Sequence, residues 1–188
     1  MSGPGRREQI LETAAELFAR RGFHGVSVAE LGAACGVSGP AIYKHFSSKD
    51  EVLAEMLVSI SERLLSEGTR RVASAGSPAD ALAALVEWHI EFALGHPSLI
   101  VVQDRDWSSL PEDARERVRS LQRQYVDLWA GQLRAHEDGL ELEKARAMAH
   151  ASFGLINSTP HSALLHDDAM SRLLRTMALR ALGIDIDY

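Results

Sequence analysis

The sequence predicts an all-α chain: an N-terminal three-helix unit containing a helix-turn-helix, then a larger helical bundle, about nine helices in total. Three observations carry this. Apolar residues recur at helical spacing through most of the 188 residues. Two capping boxes, "SVAE" at 27–30 and "SKDE" at 48–51, mark helix starts. No run alternates apolar and polar residues between turn signals, and there is no internal repeat or low-complexity tract.

Composition narrows the class. Hydrophobic residues make up 46%, enough for a sizeable core. The single cysteine, Cys35, excludes a disulfide within one chain and fits a reducing cytoplasm. No apolar run has the length of a membrane span, and "MSGPGRREQ" lacks an apolar signal region. A cytoplasmic protein without membrane attachment is therefore expected. The net charge of −6 argues against a general nucleic-acid coat, yet residues 1–50 carry six basic and five acidic residues, net +1.

The elements follow in order. Ile10, Leu11, Ala14, Leu17 and Phe18 share one helical face, and Gly22 stops that helix. Ser27 and Glu30 cap a short second helix, which Gly36 ends. Ser38 is an N-cap and Pro40 sits in a first turn, so 39–45 reads as a third, very short helix. Gly32 lies where these two helices must approach closely. A long amphipathic helix, 49–67, starts at the Ser48–Glu51 box and ends at Gly68. Further helices are expected near 78–94, 98–104, 111–136, 141–158 and 167–182. The domains are then 1–47 and 48–188, with helix 49–67 connecting them.

A helix of one or two turns buries little and is costly to nucleate. Its presence at 39–45 makes sense if its exposed face has a task. That face shows Gly39, Ala41, Lys44 and His45, with Tyr43 beside them. The small residues permit close approach to a surface, and Tyr43, Lys44 and His45 can donate to phosphate. Lys49 is poorly placed for its own helix dipole, a cost that a nearby phosphate would offset. A tight turn between two helices with a solvated polar face is the competing reading of the same residues. Arg6 and Arg7 read either as a flexible arm on a nucleic-acid backbone or as a solvated terminus.

Residues 7–53 resemble the N-terminal domain of the TetR family of transcriptional repressors. The resemblance rests on "ILETAAELFARRGFHGVSVAELGAACGVSGPAIYKHFSSKDEVL", with its Phe-Ala-x-x-Gly-Phe helix end and its Tyr-x-His-Phe-x-x-Lys run. Leu31-Gly32 stands where the family usually has Ile-Ala, and Ala41 where a hydroxyl is common. The resemblance implies a homodimer on a palindromic double-stranded DNA operator, released by a small-molecule inducer. It implies phosphate contacts by Ser27, Tyr43, His45 and Lys49, close approach of Gly39, Pro40 and Ala41 to bases or sugar after the Ser38 cap, and base or backbone contact by Lys44. It also implies a helical C-terminal domain for ligand binding and dimerisation.

For that domain the sequence supplies an apolar, aromatic lining: Trp88, Phe92, Trp107, Tyr125, Trp129 and Phe153, with Gln103 and Asn157 as polar anchors beside Tyr125. "VVQDRDWSSLPEDARERVRSLQRQYVDLW" is similar to a subgroup of such regulators from high-GC bacteria, some of which resemble sensors of acyl-CoA thioesters. Ala145, Ala149, Ala151 and Gly154 permit close helix contact, which reads either as an ordinary intrachain contact or, as the resemblance implies, as a dimer through helices near 141–158 and 167–182. Each aromatic taken singly also reads as core packing.

An enzyme is not expected, nor a cofactor or a bound metal. His161 and His166 do not share a helix face, and Gly95 and Pro97 break the helix at His96, seven residues after His89. There is no H-E-x-x-H, paired cysteine, nucleophile elbow or phosphate-cradling glycine loop. The remaining alternative is a helical small-molecule-binding or protein-docking module without DNA binding.

Overall fold

The computed structural model describes residues 5–162 and 164–184. Among these there are nine α-helices, two 3-10 turns and no strand. The helices are α1 (Arg6–Arg21), α2 (Val28–Ala34), α3 (Gly39–Ile42), α4 (Lys49–Ala73), α5 (Pro78–Gly95), α6 (Pro97–Asp106), α7 (Glu112–His136), α8 (Leu142–Ile156) and α9 (Asp167–Ala181). The 3-10 turns follow α6 and α8, at Trp107–Ser109 and Thr159–His161.

Two of these helices depart from expectation. The α-helical part of the third helix ends at Ile42, and 43–45 continue as tighter turns, Lys44 N–H to Ala41 O and His45 N–H to Ile42 O. Ser38 occupies the cap position but its hydroxyl makes no cap bond. Gly68 does not end α4, which runs on to Ala73. The glycine is there for packing: a Cβ would stand 2.8 Å from the Tyr125 ring and 3.2–3.3 Å from Leu85 and Leu128.

Both capping boxes exist, the second in altered form. Ser27 Oγ accepts the Glu30 N–H at 3.2 Å and Glu30 accepts the Ser27 N–H at 2.8 Å. In the second, Ser48 Oγ accepts the Glu51 N–H at 3.1 Å, but the Glu51 carboxylate takes the N–H and hydroxyl of Ser47 instead.

The chain divides into two compact units. The first comprises Met1–Ile60 and Ser98–Val118, the second Ser61–Pro97 and Arg119–Tyr188. The helix-turn-helix text ends near residue 47, but packing draws the first unit more widely. Its core joins Ile10, Phe18, Leu31, Ile42, Phe46, Leu53 and Leu57 to Val102, Leu110, Ala114 and Val118. Arg105 fastens this later segment to α1. Its guanidinium donates to Ala19 O at 3.0 Å and to Phe18 O, and pairs with the buried Asp106 carboxylate at 3.1 Å. Lysine or arginine at a helix C-terminus satisfies carbonyls that have no helical partner.

In the second unit α5 packs on α8 and α9, and α8 on α9. Leu82, Leu85, Val86, His89 and Ala93 form the buried stripe of α5. Ala145 and Ala149 of α8 are buried within this unit, so half of the small-residue stripe serves intrachain packing. Ala147, Ala151 and Gly154 stay exposed.

Candidate nucleic-acid interface and ligand-binding cluster

The turn between α2 and α3 is tighter than an alanine permits. A Cβ on Gly32 would stand 2.8 Å from Gly39 N, and one on Gly39 would stand 3.1 Å from Ala29 Cα. The Gly32 departure therefore coincides with a backbone-to-backbone contact. Gly36, at φ +69°, makes the intervening turn, a conformation glycine adopts without steric cost. Ile42 and Phe46 then anchor α3 and its following turn in the core, at 2% and 1% exposure. With those two residues held inside, Tyr43 and Lys44 face outward, and Tyr43 is 56% exposed. Ser27, Ser38 and Pro40 are exposed as well, while Gly39, Ala41 and His45 are half-buried.

Two expected phosphate donors, Lys49 and Ser27, prove to have intrachain work, as do Arg7 and Arg6. Lys49 Nζ donates to Phe23 O and Val26 O, both at 2.7 Å, and lies 4.3 Å from the centre of the Phe23 ring. Carbonyls and a ring face thus offset its unfavourable helix position, where a phosphate had been expected to do so. The Ser27 N–H and hydroxyl are both engaged by Glu30. The Ser27 backbone and hydroxyl bonds, with Arg21 at 2.7 Å, hold the Glu30 carboxyl down at about 2. Arg7 is no loose arm: it bonds Glu55, Glu51 and the His45 carbonyl, and covers Phe46 at 4.1 Å. Arg6 donates to Cys35 O at 3.4 Å.

The proposed ligand lining divides. Trp107 packs against the core of the first unit, and Gln103 also belongs to that unit, on α6. Trp88 turns to another face of α5, donating to Leu64 O at 3.1 Å beneath Arg71 and Arg63. The others gather in the second unit around a residue not expected there, His89. Its ring stacks on Phe153 at 4.7 Å and Tyr125 at 5.8 Å, with Phe92 and Trp129 edge-on at 5.9 and 6.1 Å. Nε2 lies 3.1 Å from Asn157 Oδ1 and Nδ1 lies 3.4 Å from the Tyr125 hydroxyl.

Burial governs the chemistry of this cluster. It pushes the His89 imidazole down to about 4, against the opposing Asn157 bond, so His89 is neutral at pH 7. Burial also raises the Tyr125 phenol above its ordinary range. The fully buried Trp129 indole N–H faces the Tyr125 hydroxyl, where it counters part of the effect of burial, but it makes no hydrogen bond of normal geometry among the described residues. His89 falls within the apolar stripe of α5, at the i, i+3/i+4 positions that continue Leu82, Leu85 and Val86. That periodicity was the available signal for its burial. Among the described residues no group of three or more His, Cys, Asp or Glu could hold a metal ion, and no helix is long and apolar enough to cross a membrane.

Comparison with known proteins agrees with this architecture. Residues 10–56 match the family described as bacterial regulatory proteins, tetR family, and residues 75–161 match the tetracyclin repressor-like C-terminal domain. The HTH-type transcriptional repressor KstR2 of Rhodococcus jostii (strain RHA1) is 30% identical over 132 residues, 70% of this chain. That alignment spans 65% of the relative's own length. A TetR-family transcriptional regulator from Bordetella parapertussis 12822 superposes with a TM-score of 0.81 at 24% identity, covering 97% of this chain and 98% of the other. AibR, solved in complex with isovaleryl coenzyme A and operator DNA, superposes with a TM-score of 0.75 at 20% identity, over 92% and 97% of the two chains. At such identities the structural likeness speaks for the fold alone. The two family matches together take in most of the sequence, one on each side of the α4 helix end, and the chain belongs to the TetR family of bacterial regulatory proteins.

Proposed function

We propose that the chain is a ligand-responsive DNA-binding transcriptional regulator of the cytoplasm, a homodimeric repressor without enzymatic activity. The backbone contact between Gly32 and Gly39, which leaves Tyr43 and Lys44 outside, is the observation that carries this reading. A dimer would bring two copies of α3 to successive major grooves of a palindromic operator. Leu173 and Met177, 44% and 46% exposed on α9, and exposed Ala147, Ala151 and Gly154 of α8 support dimerisation through these helices. Burying them would remove apolar surface from water. The ligand is a small, largely apolar molecule that opens the His89 cluster and accepts a hydrogen bond from Trp129 Nε1. An acyl-CoA, the class of ligand bound by AibR, is the first compound to test.

Coupling needs an element shared by both ends of the chain. α4 contributes residues to the first unit up to Ile60 and to the second from Ser61, and α7 likewise spans Val118 and Arg119. A ligand with different affinities for two positions of these helices would lower DNA affinity. A coupling of about 1–3 kcal/mol corresponds to roughly 5–150-fold.

The test is selection of duplexes from the source genome, followed by fluorescence anisotropy. Affinity should fall steeply with salt, because phosphate contacts release counterions. Lys44→Ala should reduce specific affinity by about tenfold, and Tyr43→Phe should weaken all duplexes more evenly. Unchanged operator binding by the double variant would refute the assignment of α3 as the reading helix. For the ligand, Trp129→Phe keeps a ring and removes the N–H. It should leave DNA binding intact while raising the octanoyl-coenzyme A concentration needed for release by about tenfold. Equal release from both proteins would remove Trp129 from the pocket.

A further inference from the structure

The segment that leaves α3, residues 45–47, is gripped from both sides within the first unit. Arg7 stands in the first turn of α1. Its Nε donates to Glu55 Oε1 at 2.6 Å, and one terminal nitrogen donates to the other Glu55 oxygen and lies 3.3 Å from Glu51 Oε1. The remaining nitrogen donates to the His45 carbonyl. The same guanidinium covers the buried Phe46 ring, 4.1 Å from its centre. Glu51 holds the next residue, accepting the Ser47 N–H at 2.5 Å and its hydroxyl at 2.6 Å. A carbonyl, a ring and an amide are thus fixed in succession, directly after the outward-facing Tyr43 and Lys44.

The residue types suit this task. Glu51 and Glu55 are one turn apart on α4, where like charges repel unless a cation lies between them. Arginine carries five donors in a planar fork, enough to serve a carboxylate pairwise and a carbonyl at once. Lysine offers a single point of charge. We infer, on the reading of α3 as the helix that enters the groove, that Arg7 is a positioning residue for sequence reading: by tying the His45 carbonyl to Glu51 and Glu55 it fixes the direction in which α3 presents Tyr43 and Lys44. All three Arg7 nitrogens are engaged within the chain, so it acts through α3 and not on phosphate. A consequence of unusual sign follows for Glu55. By charge alone, removing a carboxylate from a DNA-binding unit favours DNA. Here its removal loosens the clasp and disfavours the operator.

Fluorescence anisotropy on the full chain tests this with two duplexes, the selected operator and a scrambled sequence of the same length. The ratio of the two affinities is the quantity to read, because a smaller folded fraction weakens both alike. Glu55→Gln should lower operator affinity about tenfold for the dimer, roughly threefold per subunit, while binding to the scrambled duplex holds or tightens. Arg7→Gln/Glu55→Gln conserves the net charge and should lower the ratio by about the same tenfold and no more, since both substitutions break one contact. Its salt slope on the scrambled duplex should equal that of the unaltered chain, whereas a phosphate contact by Arg7 would take about 0.9 per subunit off that slope. Tighter binding of both duplexes by Glu55→Gln, an unchanged ratio in the double variant, or a lowered slope would overturn the positioning role. An unaltered chain that discriminates, with variants that discriminate equally, overturns the clasp alone. An unaltered chain that does not tell operator from scrambled duplex overturns the sequence-specific regulator itself.

Discussion

Lowering the pH from 7 to 5 should destabilise the second unit through His89. The imidazole is sealed among Phe92, Tyr125, Trp129 and Phe153, and burial depresses it from 6.5 to about 4. In the unfolded chain it takes up a proton near 6.5. The unfolded state therefore binds more protons between 6.5 and 4, and stability falls as pH falls through that window. The contribution is complete above 6.5 and lost toward 4, and the whole interval is worth about 3 kcal/mol. About 2 kcal/mol of this should be gone at pH 5. His89→Gln removes the titration and keeps a polar side chain. Urea unfolding at pH 7 and pH 5 should show a smaller loss in the variant, by about 2 kcal/mol. Equal losses would mean that His89 is solvated and the cluster is not closed around it. The difference between the two pH values is the quantity to read, because Gln alters packing at both.

Arg105→Leu should destabilise the first unit by about 1–3 kcal/mol and weaken DNA binding with it. The substitution leaves the Asp106 carboxylate, 5% exposed, without its guanidinium, and strips a donor from the last carbonyls of α1. Breaking a fully buried pair costs about 3–5 kcal/mol, but the Arg105 side chain is 41% exposed, so water replaces part of the interaction. Replacing both partners, Arg105→Leu/Asp106→Leu, should recover a good part of the loss, because no unpaired charge remains. The residue of the loss then measures the cap on α1. Hydrogen exchange should show faster opening of the Phe18–Gly22 turn in both variants. If neither substitution changes the stability of α1, the segment 98–118 is not integral to the first unit.

The reading unit was legible because its determinants are local. The Ser27–Glu30 box, Gly36 at the turn, Pro40 in a first turn and the apolar period from Ile10 to Phe18 act within a few residues of one another. Such contacts are written in spacing, and so is the resemblance built on them. Helix existence after residue 70 was equally legible, since each run carries its own period and its own Gly or Pro boundary.

Tertiary structure alone decided what the long side chains do. Lys49 and Arg7 are cations at a terminus or a loop by sequence, and carbonyls and carboxylates twenty or more residues away claim them. Gly68 reads as a stop, yet its role is room for Tyr125, 57 positions later. Trp107 and Trp129 look alike in sequence, but one packs against the core of the first unit while the other closes on His89. Which aromatic meets which is set by burial between segments far apart in the chain. Desolvation, which the cluster imposes on His89, exists only once those segments are packed.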